Sequence, residues 1–330
     1  MFRSMRGIVA LAIAVVAVVT VAACSRFQKE SERHFTIGLV TNNPNGMRNV
    51  QGFQDGMAEL GYVEGQNVTY AFAGEPTSAD QLDAVLQEMV DREVDLIFTA
   101  GTPTGVAAHR VTEGTGIPVV FGVIADPIAA GVMTDLTRPG GNMTGVRLSE
   151  NQARRLELLL EVAPGSRRVF VPYDPDDAAS SSAVAQVSEL APGLGVEIIE
   201  GTARSDDQVT ELLANIPEDV DAIFMVPGTT VNRRLPDLLA VALARKLPVS
   251  GPSTIQVEQG ALTTYGFVHH KVGEQAAHIA DQILKGADPG TLPVETAEFF
   301  LAVNLNTAQA IGLEIPYDIL QQAEVIIRDE

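Results

Sequence analysis

From residue 35 onward, short runs rich in β-branched and aromatic residues alternate with longer segments whose apolar positions recur every three or four residues. The short runs predict strands over 35–40, 67–72, 96–99, 119–121 and 145–146. Between them, Val50, Phe53, Met57 and Leu60 share one face of a helix over 50–60, and Leu82, Val85, Leu86 and Met89 share one over 79–91. Gly61 is placed to end the first helix, and Glu93 leads out of the second. Apolar strands separated by amphipathic helices predict an α/β fold with parallel sheets.

The same order recurs in the second half, with strands expected over 168–171, 196–199, 222–226 and 249–251. Val94-Asp95-Leu96-Ile97-Phe98 returns 126 positions later as Val220-Asp221-Ala222-Ile223-Phe224, and Ile117-Pro118-Val119 returns 130 later as Leu247-Pro248-Val249. Each pair flanks a helical stretch, so the chain duplicates a supersecondary unit. Two similar Rossmann-like lobes follow. The first is expected over 35–147 plus a later segment near 251–290, the second over 148–250 plus a C-terminal segment near 291–330. Pro139-Gly140-Gly141-Asn142 and Gly251-Pro252-Ser253 are turn signals at which such lobes join. Lobes joined at several points enclose a hinged cleft, lined by the loops at the carboxyl ends of strands.

The first 23 residues follow neither pattern. Arg3 and Arg6 precede a stretch from Gly7 to Ala23 that is apolar apart from Thr20, which predicts a secretory signal over 1–23. It is short of the roughly 20 apolar residues of a membrane span. Val21-Ala22-Ala23-Cys24 resembles the bacterial lipobox, which implies a lipid-modified Cys24, cleavage before it and a polar tether over 24–34. Two or three acyl chains anchor stably where one does not. The working protein is then expected outside the cytoplasm, held to a membrane by lipid. Its body, with a formal charge of −22 after cleavage, would not adhere to anionic lipid by itself.

Composition removes several functions. With 42 acidic against 22 basic residues, the chain has no basic face for nucleic acid. A single cysteine excludes a disulfide framework and a Cys-cluster zinc site. Nucleophile elbow, phosphate loop, zinc-protease and dinucleotide motifs are all missing, so no enzyme activity and no cofactor are expected. His270, Glu274 and His278 fall on one helical face over 271–284 and its start, but helix rise places the two histidines about 12 Å apart, too far to share an ion.

Candidate site residues sit in the loops after strands. In Gly101-Thr102-Pro103-Thr104, Thr102 is expected as N-cap and Pro103 as the first residue of a helix over 105–111. Such a start offers backbone N–H groups to an anion. Gly228-Thr229 occupies the matching place in the second half, and Thr41-Asn42 and Tyr173 follow the opening strands. Ser253 follows the strand over 249–251. The carboxylate of Asp126 either pairs a ligand ammonium or caps the next turn. Thr41, Asn42, Gly101, Thr102, Thr104, Asp126, Tyr173, Gly228, Thr229 and Ser253 are thus the expected ligand-binding set. Small hydroxyl-bearing loops suit reversible binding of a small solute.

An ordered set of motifs resembles the ABC-transporter substrate-binding proteins of the periplasmic-binding-protein-like type I fold. It includes Gly52-Phe53-Gln54-Asp55-Gly56, Glu59-Leu60-Gly61-Tyr62-Val63-Glu64-Gly65, Asp126-Pro127-Ile128-Ala129-Ala130-Gly131, Arg138-Pro139-Gly140-Gly141-Asn142 and Asn304-Leu305-Asn306-Thr307-Ala308. The resemblance implies two lobes that close on an amino acid or similar solute and dock on a membrane permease. Similar proteins carry an Asp where this chain has Gly228-Thr229, and an Asp-Tyr-Tyr run where it has Val268-His269-His270. These departures leave the solute open between an amino acid held by Asp126 alone and a neutral or anionic compound. A sensory receptor of the same fold, feeding a membrane signalling protein, is the alternative role. A secreted α/β enzyme would need a nucleophile–base pair, and a regulator of this fold would need a DNA-binding domain where the export signal lies.

Overall fold

The computed structural model describes residues 33–42, 44–72, 74, 76, 78–148 and 151–328. The expected signal, Cys24 and most of the tether lie outside the described residues.

The first half runs β1 (Phe35–Thr41), α1 (Pro44–Glu59), β2 (Val68–Phe72), α2 (Ala79–Asp91), β3 (Leu96–Ala100), α3 (Thr102–Thr112), β4 (Val119–Ile124) and β5 (Met143–Arg147). The second runs α4 (Gln152–Val162), β6 (Arg168–Tyr173), α5 (Ala178–Leu190), β7 (Glu197–Thr202), α6 (Asp206–Ala214), β8 (Ala222–Phe224), α7 (Thr229–Asn232), α8 (Leu235–Ala244), β9 (Val249–Ser250), α9 (Thr254–Glu258) and β10 (Thr263–Gly266). Strand order is β2-β1-β3-β4-β5 in one sheet and β7-β6-β8-β9-β10 in the other, all parallel, so the two lobes share one winding.

The chain then returns. Helix α10 (His269–Leu284) packs on α1, and β11 (Glu295–Thr296) pairs with β5. Finally β12 (Phe300–Asn304), α11 (Leu305–Ile311), α12 (Tyr317–Gln322) and β13 (Val325–Ile327) complete the second lobe. There β12 runs antiparallel to β10 and parallel to β13. Sheet pairing therefore differs from the sequence expectation at the late boundaries. Strand β10 belongs to the second sheet, so the first lobe's late segment starts near 269 rather than 251. It runs past 290, through β11.

The repeats seen in the sequence are one hydrogen-bond pattern used twice. Asp95 Oδ2 accepts the backbone N–H of Thr36 at 2.8 Å, at the start of β1. Asp221 Oδ2 accepts those of Arg167 and Arg168 at 2.8 and 2.9 Å, at the start of β6. The prolines match as well: Pro118 O accepts Ile97 N–H and Pro248 O accepts Ile223 N–H, each at 2.9 Å. In both lobes these bonds set the register of the third strand.

Each sheet is buried on both faces, which explains its near-continuous apolar strands. In the first, Ile37, Leu39 and Phe98 pack with Phe53 of α1 and Val272 of α10 on one face. Val40, Ile97 and Phe121 pack with Leu86 of α2 on the other. In the second, Phe170, Ile223 and Met225 meet Val209 and Leu238, while Val169, Val171 and Phe224 meet Leu156 and Leu159. Helices α1 and α10 cross at backbone contact. A Cβ on Gly52 would lie 1.9 Å from His270 O, and one on Gly273 would lie 2.1 Å from Asn49 O. Gly56 meets Ala277 one turn further along. These small residues let the returning helix reach the first lobe's core.

Candidate functional site

Three crossings join the lobes: β5 to α4, β10 to α10 and β11 to β12. The second and third run from Gly266 to His269 and from Thr296 to Phe300, spans of under about 15 Å even when extended. Every crossing leaves the carboxyl end of a parallel strand. It enters a helix, or the antiparallel strand β12, at the matching end of the other sheet. Short links of this kind bring the carboxyl ends of the two sheets together. The loops after strands lie at these ends and are the candidate walls of a cleft.

On the first wall, Gly101 takes φ 120° and ψ 150° and is the N-cap residue of α3. Thr102 was expected in that place; it is instead the first helical residue, with Pro103 second. The reason is conformational, because a left-handed φ strains a β-branched residue and suits glycine. Thr102 Oγ1 accepts the N–H of Ala125 at 3.2 Å and so ties this loop to the one after β4. Thr104 is buried and donates to Gly101 O at 2.8 Å. No side chain caps α3, so the N–H of Thr102 points out of its first turn without a capping partner. Thr41, at the end of β1, is buried and donates to Ala100 O at 3.2 Å, with Asn42 half-buried beside it. Asp126 is exposed, and its Oδ1 accepts the N–H groups of Ile128 and Ala129, both at 3.0 Å. Of the two roles left open for it, the geometry displays the cap.

The second wall repeats the device. Gly228 (φ 154°, ψ 149°) precedes Thr229 and α7, again without a side-chain cap. Thr230 Oγ1 donates to Asp174 Oδ2 at 2.7 Å, and this bond holds the Asp174 carboxyl below its usual range. Tyr173 turns to the edge of the sheet, where its hydroxyl donates to Glu200 Oε2 at 2.8 Å. Ser253 is the N-cap residue of α9; its N–H and hydroxyl both donate to Gln256 Oε1, at 3.0 and 2.8 Å. The geometry thus brings Gly101, Thr102, Gly228 and Thr229 to equivalent strand–helix junctions. Tyr173 and Ser253 are engaged within the second lobe.

Groups outside the expected ligand-binding set lie where the lobes meet. Arg48 of α1 pairs with Glu258 of α9 at 2.6 Å, the one ion pair joining the lobes among those of the described residues. His269 starts α10, with its ring 4.7 Å from that of Phe267 and its Nδ1 without a partner. Burial, assisted by the nearby Arg48 charge, pushes its pKa down to about 4, so the ring is neutral. His270 points outward and pairs with Asp55 at 2.8 Å and Glu274 at 3.1 Å. Among the described residues no group of three acidic, His or Cys side chains is placed to hold a metal. Two concavities of about 400 and 290 Å³ flank the third crossing and share Phe300; they lie beside the hinge, lined by Tyr265 and Phe299 on one side and α10 on the other.

The Arg48–Glu258 pair is half-exposed and worth up to about 1 kcal/mol. Arg48→Glu is expected to expand the unliganded protein, read as a larger radius of gyration in X-ray scattering. Arg48→Glu combined with Glu258→Arg should restore the radius, and high salt should mimic the single variant. An unchanged radius in the single variant would show that the pair does not hold the lobes.

Duplicated parallel sheets, three crossings and matching strand–helix junctions define a two-lobed solute-binding protein of the type I periplasmic architecture. The chain belongs to the ABC transporter substrate binding protein family, whose model matches residues 36–327. It is a binding protein and not an enzyme. The tyrosine-binding protein of Clostridioides difficile is 23% identical over 286 residues, 86% of this chain and 82% of that one. An ABC domain from Streptococcus pneumoniae, solved in complex with L-tryptophan, superposes with TM-score 0.78 at 26% identity, over 89% of this chain and all of that one. A conserved domain protein from Vibrio cholerae gives TM-score 0.76 at 27% identity, over 89% of this chain and 99% of the other.

Proposed function

We propose that the cleft takes an amino acid with an aromatic side chain and that the protein hands it to an ABC importer. The observation that carries this reading is the pair of uncapped helix starts, at Gly101-Thr102 and Gly228-Thr229, on the two walls. Each offers backbone N–H groups and a hydroxyl at a strand end. The longer helix at Gly101-Thr102 suits a carboxylate, and the loop at Gly228-Thr229, with Asp174 and Asp177 beside it, adds polar partners from the other wall. The named ligands of the two relatives, tyrosine and tryptophan, support the class. A solute touching both walls favours the closed form by the contacts it makes only there.

Calorimetry with L-tyrosine and L-tryptophan tests the reading, with L-leucine and glucose as comparisons. Thr102→Ala and Thr229→Ala are each expected to weaken binding of the preferred amino acid about 2- to 12-fold, the range of one hydrogen bond. The double variant should lose more than either single one. No binding of either aromatic amino acid by the unaltered protein overturns the solute class; unchanged affinity in the double variant removes these loops from the site.

We also propose that lipid on Cys24 holds the protein at the outer face of a membrane. No described helix is long and apolar enough to cross one. With Cys24→Ser, the protein should move from the membrane fraction to the soluble fraction, and retention in the membrane would overturn the anchor.

A further inference from the structure

Arg155, in the first turn of α4, is fully buried. Its guanidinium donates to Gln152 Oε1 at 2.6 Å and to Met225 O at 2.5 Å, and lies 4.3 Å over the Phe224 ring. Its Nε finds no partner. No carboxylate pairs with it among the ion pairs of the described residues, although buried arginines are ordinarily paired. Burial pushes its pKa down to about 9, which still leaves the charge in place at neutral pH. A methionine could pack against Phe224 and Leu159 without the desolvation cost, so stability alone does not account for an arginine here.

Its position suggests what the charge does. Met225 directly follows β8 and leads through Val226 and Pro227 into the cleft loop Gly228-Thr229. Both backbone groups of Met225 are fixed, its N–H on Ser250 O at 2.9 Å and its carbonyl on Arg155. The guanidinium is therefore bonded to the strand end three residues before Gly228, in an apolar setting that screens it little. The other charges at this loop are Asp174, bonded to Thr230, and Asp177, whose Oδ2 would lie 3.5 Å from a Cβ on Gly228. Both belong to the loop after β6. Arg204 and Arg233, further out, are paired with Asp176 and Asp206. The β6 side of this loop thus carries carboxylates, on one of which Arg204 and Arg233 also act, and the buried guanidinium lies on the α4 side.

We propose that Arg155 is a specificity-determining residue that makes the second wall favour a solute bearing a carboxylate, oriented with that group toward α4 and any ammonium toward Asp174 and Asp177. The inference rests on the amino-acid reading above and adds the residue that selects one end of the ligand. Arg155 does not touch the solute in this arrangement; it acts through the Met225 peptide and its field.

The test compares L-tryptophan with tryptamine, which keeps the ring and amine and lacks the carboxylate. The unaltered protein should bind L-tryptophan at least 10-fold more tightly. Arg155→Gln and Arg155→Met should lose most of that preference by weakening L-tryptophan about 10-fold while changing tryptamine less than 2-fold. Arg155→Lys should keep most of it. Thermal melts of each variant show whether it is folded. Equal weakening of both compounds would mean a packing role and overturn the proposal. Should the neutral variants fail to fold, equal affinity of the unaltered protein for the two compounds overturns it, and retained preference together with retained preference in Arg155→Lys supports it. If neither compound binds the unaltered protein, the aromatic amino-acid reading falls and this one with it, a pattern distinct from the others.

Discussion

Gly273→Ala is expected to destabilise the first lobe by about 2 kcal/mol, although alanine is the better helix former. Inside a helix the exchange gains roughly 1 kcal/mol of propensity. Against that, the new Cβ would lie 2.1 Å from Asn49 O and 2.5 Å from Phe53 N, both backbone atoms of α1. Backbone cannot rotate aside, so α10 must lift off α1, and overpacking of this kind costs about 1–3 kcal/mol, sometimes more. Gly52→Ala meets the same crossing from the other side, through His270 O at 1.9 Å. The pair should be less than additive, because one displacement relieves both clashes. Urea unfolding followed by circular dichroism reads the loss. A variant as stable as the parent would mean that the helices do not cross at backbone contact. Since α10 follows the second crossing directly, the same variant should also weaken solute binding by shifting the hinge.

Phe98→Ala should cost more, about 3–5 kcal/mol. Phe98 is fully buried in the middle of β3, and its ring stacks on Phe53 of α1 with centroids 4.1 Å apart and planes 13° from parallel. Gly122 of β4 makes room for it, since a Cβ there would lie 2.7 Å from Phe98 Cζ. Truncation leaves a cavity under α1 that neither β4 nor α10 can fill without losing its own contacts. Phe98→Leu retains most of the volume and should recover more than half of the loss. A loss below 1 kcal/mol for the alanine variant in the same unfolding experiment would show that the site collapses freely.

The strands and their duplication were legible because parallel strands buried on both faces carry an unbroken apolar signature, as in Leu96–Ala100 and Ala222–Phe224. The Asp95/Asp221 and Pro118/Pro248 echoes were legible because each serves a backbone bond that both lobes need. The late exchange between lobes was less so. Glu295–Thr296 has only two residues, too few to show alternation, and it and Thr263–Gly266 pair with strands far away in sequence, β5 and β12. Helix α1 starts at Pro44, well before position 50, and that start was not legible because Pro44, Asn45, Gly46 and Asn49 read as a turn. At the site, the threonine-bearing loops could be located, but a glycine's φ could not, so the cap was assigned one residue late. Arg155 hid beside Arg154. Its only signal was spacing, since it shares a face with Leu159 and Val162, and a charged residue on that face reads as an error in phase until burial is known.

The weave of the two lobes also bears on how the molecule comes into being. The amino-terminal lobe takes its last helix and its edge strand from residues synthesised after nearly all of its neighbour, so neither half is a separable unit that one cut could release. A nascent chain that has reached only β5 still shows water the glycine-lined side of α1 that α10 will cover. Completion of one half thus waits on the near-completion of the other, and the binding groove exists only when the whole polypeptide has been delivered.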